Sequence, residues 1–423
     1  MEAGIKAGKK TRRFDPSWKW WGEIDENRRI GIPALLAALY FLCMPLSIVS
    51  FGGISLLKAV SYLLGLTLTV KLFVGRSRLR LNSMHLFLGI YLVYSIFSWF
   101  LSQSETAFAV TRGLMETSLV FVLITANIYN EREEAMLYNC WLIIGVFTMV
   151  NVLMGQFFGE SSGTGRVTMM LGGAEEDPNQ LCGYFIFPML CCLRKLKKGQ
   201  WVKDGIYLVL LGLMGYCVLL TGSRGGLVAV AGTLALYIIL AVPGWQNRVK
   251  AGVAMVLAAA MFWLVVVPLL PQETQERFTL ERIEEDQGSG RFVIWEAIAD
   301  AMVAEDFSMI FGYGFGATEK IIAATGRVNT VAHNHWMQMW ADQGLAGVAI
   351  FGIFFGFAFV RNLRQRRIIS VAILGMLVLS MSLTMYATYK PFWNLLMVAA
   401  FSVENISEEE PHDGEGQLGS PGL

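Results

Sequence analysis

Apolar stretches of about twenty residues recur along this chain, separated by short charged or glycine-rich breaks, and most of them lack a polar face. A helix at the surface of a soluble protein keeps one polar stripe, so helices that are apolar all round belong in hydrocarbon. Crossing roughly 30 Å of bilayer core takes about twenty residues. The pattern predicts an all-α polytopic membrane protein with twelve spans near 30–50, 53–74, 84–101, 107–129, 137–159, 180–193, 205–221, 224–242, 250–270, 336–360, 368–388 and 391–403. The sixth and twelfth are short. The resulting division is an N-terminal segment 1–29, spans one to nine over 30–270, an extracytoplasmic loop with a short helix over 271–335, spans ten to twelve over 336–403, and a tail 404–423.

Composition and charge refine this picture. The chain is 55% hydrophobic and only 16% charged. With the N-terminus inside, 24 of the 34 lysines and arginines fall in cytoplasmic segments, the bias that orients membrane proteins. Both termini are then cytoplasmic, and the loops 160–179 and 271–332 face outward. SWKWWGEI, before the first span, reads as an interfacial aromatic segment, and ISEEEPHDGEGQLGSPGL as a disordered acidic tail carrying the fourth histidine, His412. A net charge of +1, with cations spread between apolar runs rather than gathered in a patch, gives no sign of nucleic-acid binding. All six cysteines sit in or beside apolar runs without C-x-x-C spacing, so they read as small buried hydrophobes.

Several polar groups then need a reason to be where they are. Arg224 stands in LLTGSRGGLVAV, at a very short turn between spans seven and eight. It is either an interfacial arginine snorkelling to headgroups or part of an anion site. In the second case Gly222, Gly225 and Gly226 permit close backbone approach, while Ser223 and the following helix start add donors suited to a phosphate or diphosphate. The outer loop predicts a helix over 291–304 with Phe292, Trp295, Ile298 and Met302 as its apolar face, then a glycine-rich turn from Gly312 to Gly316. Arg291 at its start suits an anion or a salt bridge with Glu296 or Asp286. In VAHNHWMQMWADQG, His333 and His335 precede a helix whose Gly344, Gly352 and Gly356, with Gly347 close by, form a small-residue face for tight packing. Asn334, Gln338 and Asp342 descend one side of it. Either histidine fits a hydrogen-bonded helix start or a general base near its ordinary pKa. A zinc site lacks a third ligand nearby. Asp177 and Asn179 around Pro178 suit a helix cap, with Arg166 upstream, and Arg112 and Glu116, one turn apart, suit a buried intrahelical pair.

Taken together, these motifs resemble the bacterial O-antigen ligase and Wzy-type polysaccharide polymerase superfamily. The resemblance rests on Ser223-Arg224-Gly225 between two spans, and on His333 and Asn334 followed by nine residues and then Gly344 and Gly347. Arg291 and Trp295 before Gly312, Gly314 and Gly316, and the triplet Asp177 to Asn179, agree with it. It implies a helical, GT-C-like glycosyltransferase of the bacterial inner membrane with an outward-facing site. It also implies His333 rather than His335 as the general base, and Arg224, Arg291 and Arg166 as diphosphate ligands. Ser223, Asn334, His335, Gln338, Asp177 and Asn179 take supporting places. The implied reaction is metal-independent, cofactor-free, inverting transfer of a glycan from undecaprenyl diphosphate. We read the chain as a polymerase of lipid-linked repeat units for a surface or secreted polysaccharide, with a flippase and a chain-length regulator as protein partners. The alternatives are a ligase passing the glycan to lipid A core and a lipid-linked glycan transporter without transferase activity.

Overall fold

The computed structural model describes residues 28–403 apart from 52–53, 75–79, 103–104, 159–165, 197–198, 280, 282–289, 327–330, 366 and 386–388. The aromatic SWKWWGEI segment and the acidic tail lie outside the described residues, as does Asp286. Each of the twelve apolar stretches contains a helix. In chain order these are α1 (Ile32–Leu42), α2 (Leu56–Phe73), α3 (Ser83–Ser102), α4 (Glu105–Thr125), α5 (Glu131–Phe157), the short α6 (Pro178–Leu181) leading into α7 (Gly183–Lys195), α8 (Trp201–Leu220), α9 (Arg224–Ala241) and α10 (Trp245–Val266). The loop carries α11 (Gln272–Glu276), α12 (Arg291–Val303), α13 (Asp306–Phe311) and α14 (Ala317–Ala323), and the chain closes with α15 (His335–Arg364), α16 (Ile369–Ser380) and α17 (Lys390–Ala400).

Among the described residues, seven helices are long and apolar enough to cross a membrane: α3, α4, α5, α8, α9, the stretch Trp245–Leu269 and α15. α1, α16 and α17 are shorter, at 11, 12 and 11 residues. An 11-residue helix rises about 16 Å, so α1 covers its stretch only with the 3₁₀ turn Pro45–Ile48 that follows. The protein is a helical polytopic membrane protein, and it is apolar outside as well as inside. Phe73, Val93 and Leu264 project outward, and Trp245–Val266 has no buried residue at all. Side chains that would be costly in water are at rest in lipid. The six cysteines are all free and buried.

Two ends of the bundle are distinguishable. At one, Glu133 caps α5 with Asn130 and accepts from Gly31 N at 2.7 Å, the two-residue strands Ile128–Tyr129 and Ser402–Val403 pair in parallel, and Arg361 donates to the carbonyls of Ala400 and Phe401. At the other end lie the 166–180 segment, the α8–α9 turn and the start of α15. The first and last described residues thus share an end.

The joint that shapes the second end is a break in α15. Gly344 has φ 66° and ψ −176°, which removes it from the helix and strips the preceding carbonyls of their usual partners. All three find new ones. The Ala341 carbonyl accepts from Tyr313 N at 3.0 Å, Asp342 from Gly314 N at 2.9 Å and Ser98 Oγ at 3.0 Å, and Gln343 from Tyr94 OH at 2.6 Å. The glycine-rich turn is the other half of this joint. Gly312, Gly314 and Gly316 have φ of 78°, 90° and 79°, and a Cβ on Gly312 would stand 2.5 Å from Gln343 N. The expected small-residue face is therefore corrected: Gly344 is a break and Gly347 a close contact with Tyr94, whereas Gly352 and Gly356 face open space. The face of α12 is corrected as well. Ile294, Ile298 and Met302 are buried with Trp295 packed against them, and Phe292 points outward. Phe292 loses because α12 rests on both α14 and α15, and Ile294, one turn before Ile298, is the residue that reaches them. Arg112 does pair with Glu116, at 3.5 Å, but both are well exposed and Lys58 joins the carboxylate at 3.2 Å, so the pair is not buried.

Gly344→Ala should lower stability by roughly 1–3 kcal/mol, the range for a strained backbone position, and more if Ile310 cannot move. Gly352→Ala should change it by less than about 1 kcal/mol. Thermal unfolding of the two purified variants in one detergent tests the contrast; equal losses would remove the joint.

Candidate functional site

A hairpin builds the first wall. The two-residue strands Met170–Leu171 and Ala174–Glu175 pair across Gly172 and Gly173, whose φ of 58° and 81° give the tight turn that favours two glycines. Asn151 of α5 clamps Met170 through both its backbone groups, at 3.0 and 3.1 Å. The strands run on past the pairing, with Glu176 N donating to the Met169 carbonyl, so Arg166 and Asp177 emerge side by side. Asp177 caps α6, accepting from Asn179 N and Gln180 N, and the Asn179 side chain accepts from Arg166 Nη2 at 3.0 Å.

The α8–α9 turn is the second wall. Ser223 accepts from Gly226 N at 3.1 Å, so its hydroxyl serves as the helix cap. Gly225 packs against Ser382 and Gly226 against Cys182, approaches that any side chain would block. Three arginines are anchored at this turn through Nε. Arg166 donates to the Thr221 carbonyl at 2.6 Å, Arg277 to Gly222 at 3.1 Å, and Arg224 to Arg277 at 2.8 Å. An anchored Nε fixes the guanidinium plane and so aims its outer edge. Gly222, at φ 58°, leaves room for this: a Cβ there would lie 2.9 Å from Arg277 Cδ.

The third wall carries His333. Its φ of 48° makes it the one non-glycine residue of positive φ among the described residues, an uncommon backbone state that tends to mark functional positions. Neighbours hold it there. The Ala332 carbonyl accepts from Trp295 Nε1 at 2.8 Å, Ala332 N donates to Gln338 Oε1 at 2.9 Å, and Asn334 caps α15 through Trp336 N and Met337 N. Gln338 in turn donates to Asp342, which accepts from Thr318 N and Oγ1. The polar stripe Asn334, Gln338 and Asp342 is thus a brace between loop and helix. His335 is fully buried among aromatic rings, with Phe351 at 5.3 Å and Phe392 at 6.0 Å, and its Nδ1 accepts from Met385 N.

These walls bring Arg166 within electrostatic reach of Arg277, Arg291 and Asp177, and His333 within reach of Arg291 and Asp177, while Arg224 is tied to the Arg277 carbonyl. Burial, followed by Arg277, pulls Arg166 down to about 10, still charged at neutral pH. Burial, then Arg291, lowers His333 below the ordinary imidazole value, while Asp177 pulls the other way. The ring is therefore neutral at pH 7, and the clustered guanidiniums suit an anion. Two members escape sequence inspection. Arg277 is one of the few cations in the segments that the charge bias assigns to the outside, a signal that each such arginine has a reason to be there. Glu176, raised to about 7 chiefly by burial, accepts from Tyr184 OH at 3.3 Å; nothing separates it in sequence from Glu175. His335 is not brought into the cluster.

Residues 209–352 match a family model described as O-Antigen ligase, Wzy_C. That segment belongs to the O-antigen ligase/Wzy-type superfamily. The Wzy_C match takes in Arg224, Arg277, Arg291 and His333, and stops short of Arg166, Asp177 and Asn179 on one side and Ser382 on the other. No curated protein and no solved structure matches the chain. Membership supports ligase- or polymerase-type action on lipid-linked glycans in general terms.

The histidine titration should report this electrostatic frame. Arg291→Gln removes a positive neighbour and should raise the apparent pKa of His333. Asp177→Asn keeps the cap oxygen but removes a negative charge, and should lower it further. Histidine NMR of the purified variants measures both; shifts of the same sign would contradict the arrangement.

Proposed function

We propose that this chain polymerises undecaprenyl-diphosphate-linked oligosaccharide repeat units by inverting glycosyl transfer, at the outer face of a bacterial cytoplasmic membrane. In this reading all twelve apolar stretches lie in the bilayer in a GT-C-like arrangement, with both termini cytoplasmic. The observation that carries it is the convergence of Arg166, Arg224 and Arg277 around the Thr221–Ser223 turn, with Arg291 in electrostatic reach of both Arg166 and a neutral histidine held at an unusual backbone angle.

The chemistry follows from that layout. Arg224, Arg277, Arg291 and Arg166 bind the donor diphosphate and stabilise the charge it gains as the anomeric C–O bond breaks. His333 accepts the proton of an acceptor hydroxyl as that oxygen attacks the anomeric carbon from the face opposite the diphosphate. One glycosidic bond forms, undecaprenyl diphosphate leaves with the electron pair, and the configuration inverts. The guanidiniums supply the charge neutralisation, so no step is routed through a metal. Asn334 and Gln338 position His333 through the backbone on either side of it.

Purified protein given lipid-linked repeats should lengthen the glycan and release undecaprenyl diphosphate. His333→Ala should lower the rate roughly 10²–10⁴-fold, the usual contribution of a positioned base, while keeping donor affinity. Arg224→Lys keeps the charge but loses the fork, and should cost roughly 10²-fold or more. Normal turnover in either variant would remove that residue's role. The matched family's description favours a second reading, transfer to lipid A core. Product formed only when that core is supplied would select it, and movement of unchanged substrate without a new bond would select a transporter.

A further inference from the structure

A second polar cavity lies behind the segment that carries Asp177. Glu176 and Gln180 face it, while their neighbours Asp177 and Asn179 serve the arginine corner, so residues 176–180 form a partition between two spaces. The cavity holds about 430 Å³ and is walled by Lys58 of α2, Arg112 and Glu116 of α4, and Lys390 of α17, with Tyr389 OH tied to the Gln180 carbonyl at 2.6 Å. Its charges do not balance. Three cations, Lys58, Arg112 and Lys390, face two carboxylates, Glu116 and Glu176; Lys58 and Arg112 share Glu116, at 3.2 and 3.5 Å, and burial raises Glu176 to about 7.

Arg112 and Glu116 also line a different space. On the outer surface between α3 and α4 runs a groove of about 540 Å³ walled by Leu88, Leu92, Met115, Leu119 and Val122, with Gly89 at its floor. No Cβ fills the groove at Gly89, because a side chain there would meet nothing within 4 Å. The cavity and an apolar channel facing the hydrocarbon thus share Arg112 and Glu116 in their walls. That sequence of surfaces matches one molecule, a long-chain lipid with an anionic head: the chain fits the groove, and phosphate oxygens complement Lys58, Arg112 and Lys390.

We propose that the cavity and the α3–α4 groove together seat a second lipid-linked glycan, its phosphate headgroup among Lys58, Arg112 and Lys390 and its polyprenyl chain along Gly89. This rests on the reading above, in which both reactants are lipid-linked. The partition explains why the seat is not at His333. In a lipid-linked acceptor the attacking hydroxyl sits at the far end of the repeat unit, so headgroup and reacting sugar occupy separate places.

The test counts bound lipids. Purified full-length protein in phosphatidylcholine nanodiscs is titrated with undecaprenyl diphosphate and read by native mass spectrometry. Two molecules should bind. Lys58→Ala with Arg112→Ala should weaken one of them at least about tenfold, as expected for lost charge-assisted contacts, and Arg224→Ala should weaken the other. Gly89→Trp, which fills the groove and leaves the charges in place, should weaken undecaprenyl diphosphate at the same seat but not farnesyl diphosphate. A single bound molecule that Arg224→Ala abolishes would overturn the second seat and leave the transfer reading standing. So would a second molecule indifferent to both the double variant and Gly89→Trp, or one displaced by equimolar phosphatidylglycerol. No binding of undecaprenyl diphosphate in any form would remove both readings together.

Discussion

The end of the bundle that carries the α8–α9 turn depends on one broken helix. Backbone carbonyls cannot be left bare in a membrane bundle, because no water is at hand to satisfy them. The break at Gly344 releases three, and their partners come from opposite directions: Ser98 and Tyr94 from α3, and the amides of Tyr313 and Gly314 from the loop. The interaction therefore fastens an extramembrane loop, a membrane helix and the start of α15 at one point. Asp342 extends the same joint to Thr318, and Gln338 passes it on to Ala332. His333 owes its position to this chain of bonds, and its backbone angle is held from both sides by it.

Electrostatics works against that framework. Bringing several guanidiniums together costs free energy through desolvation and mutual repulsion, as the lowered Arg166 value records. The carbonyls of Thr221, Gly222 and Arg277 offset part of it by accepting from the Nε of Arg166, Arg277 and Arg224, which also settles orientation. An anion bound here would offset more of it. Neutrality of His333 comes first from burial and then from the same field, so the positive charge gathered here also helps to keep the neighbouring ring unprotonated. Binding and base strength are two expressions of one arrangement.

The legible part of this structure is what local pattern encodes. Length and lack of a polar face announced each apolar helix, and the small residues around Arg224 announced the close approaches seen at Gly225 and Gly226. Arg166, Arg224, Arg291 and His333 were each named from their neighbours in sequence, and all meet in the fold. Spacing alone misled where the answer lay on another element. Gly352 and Gly356 share a helical face with nothing opposite it, and Gly344 differs from them only in a backbone angle that no periodicity reveals. The burial of Ile294 instead of Phe292 depends on two partners at once. Glu116 was paired with Arg112 but not with Lys58, which comes from another helix. Arg277 and Glu176 acquire meaning only through residues far away in the chain.

That distance bears on how the protein is made and divided. The bonds at the arginine corner join residues 53 to 55 positions apart, and Tyr389 reaches back 209 positions to Gln180. The family-like stretch 209–352 relies on Arg166, Cys182 and Asn179 from before it and on Ser382 and Met385 from after it. Its borders mark shared ancestry of sequence, not a folding unit. A ribosome that has just released residue 352 has produced every amino acid of the likeness and still lacks two of the surfaces against which they pack, so the corner closes only after residues 382–385 have emerged.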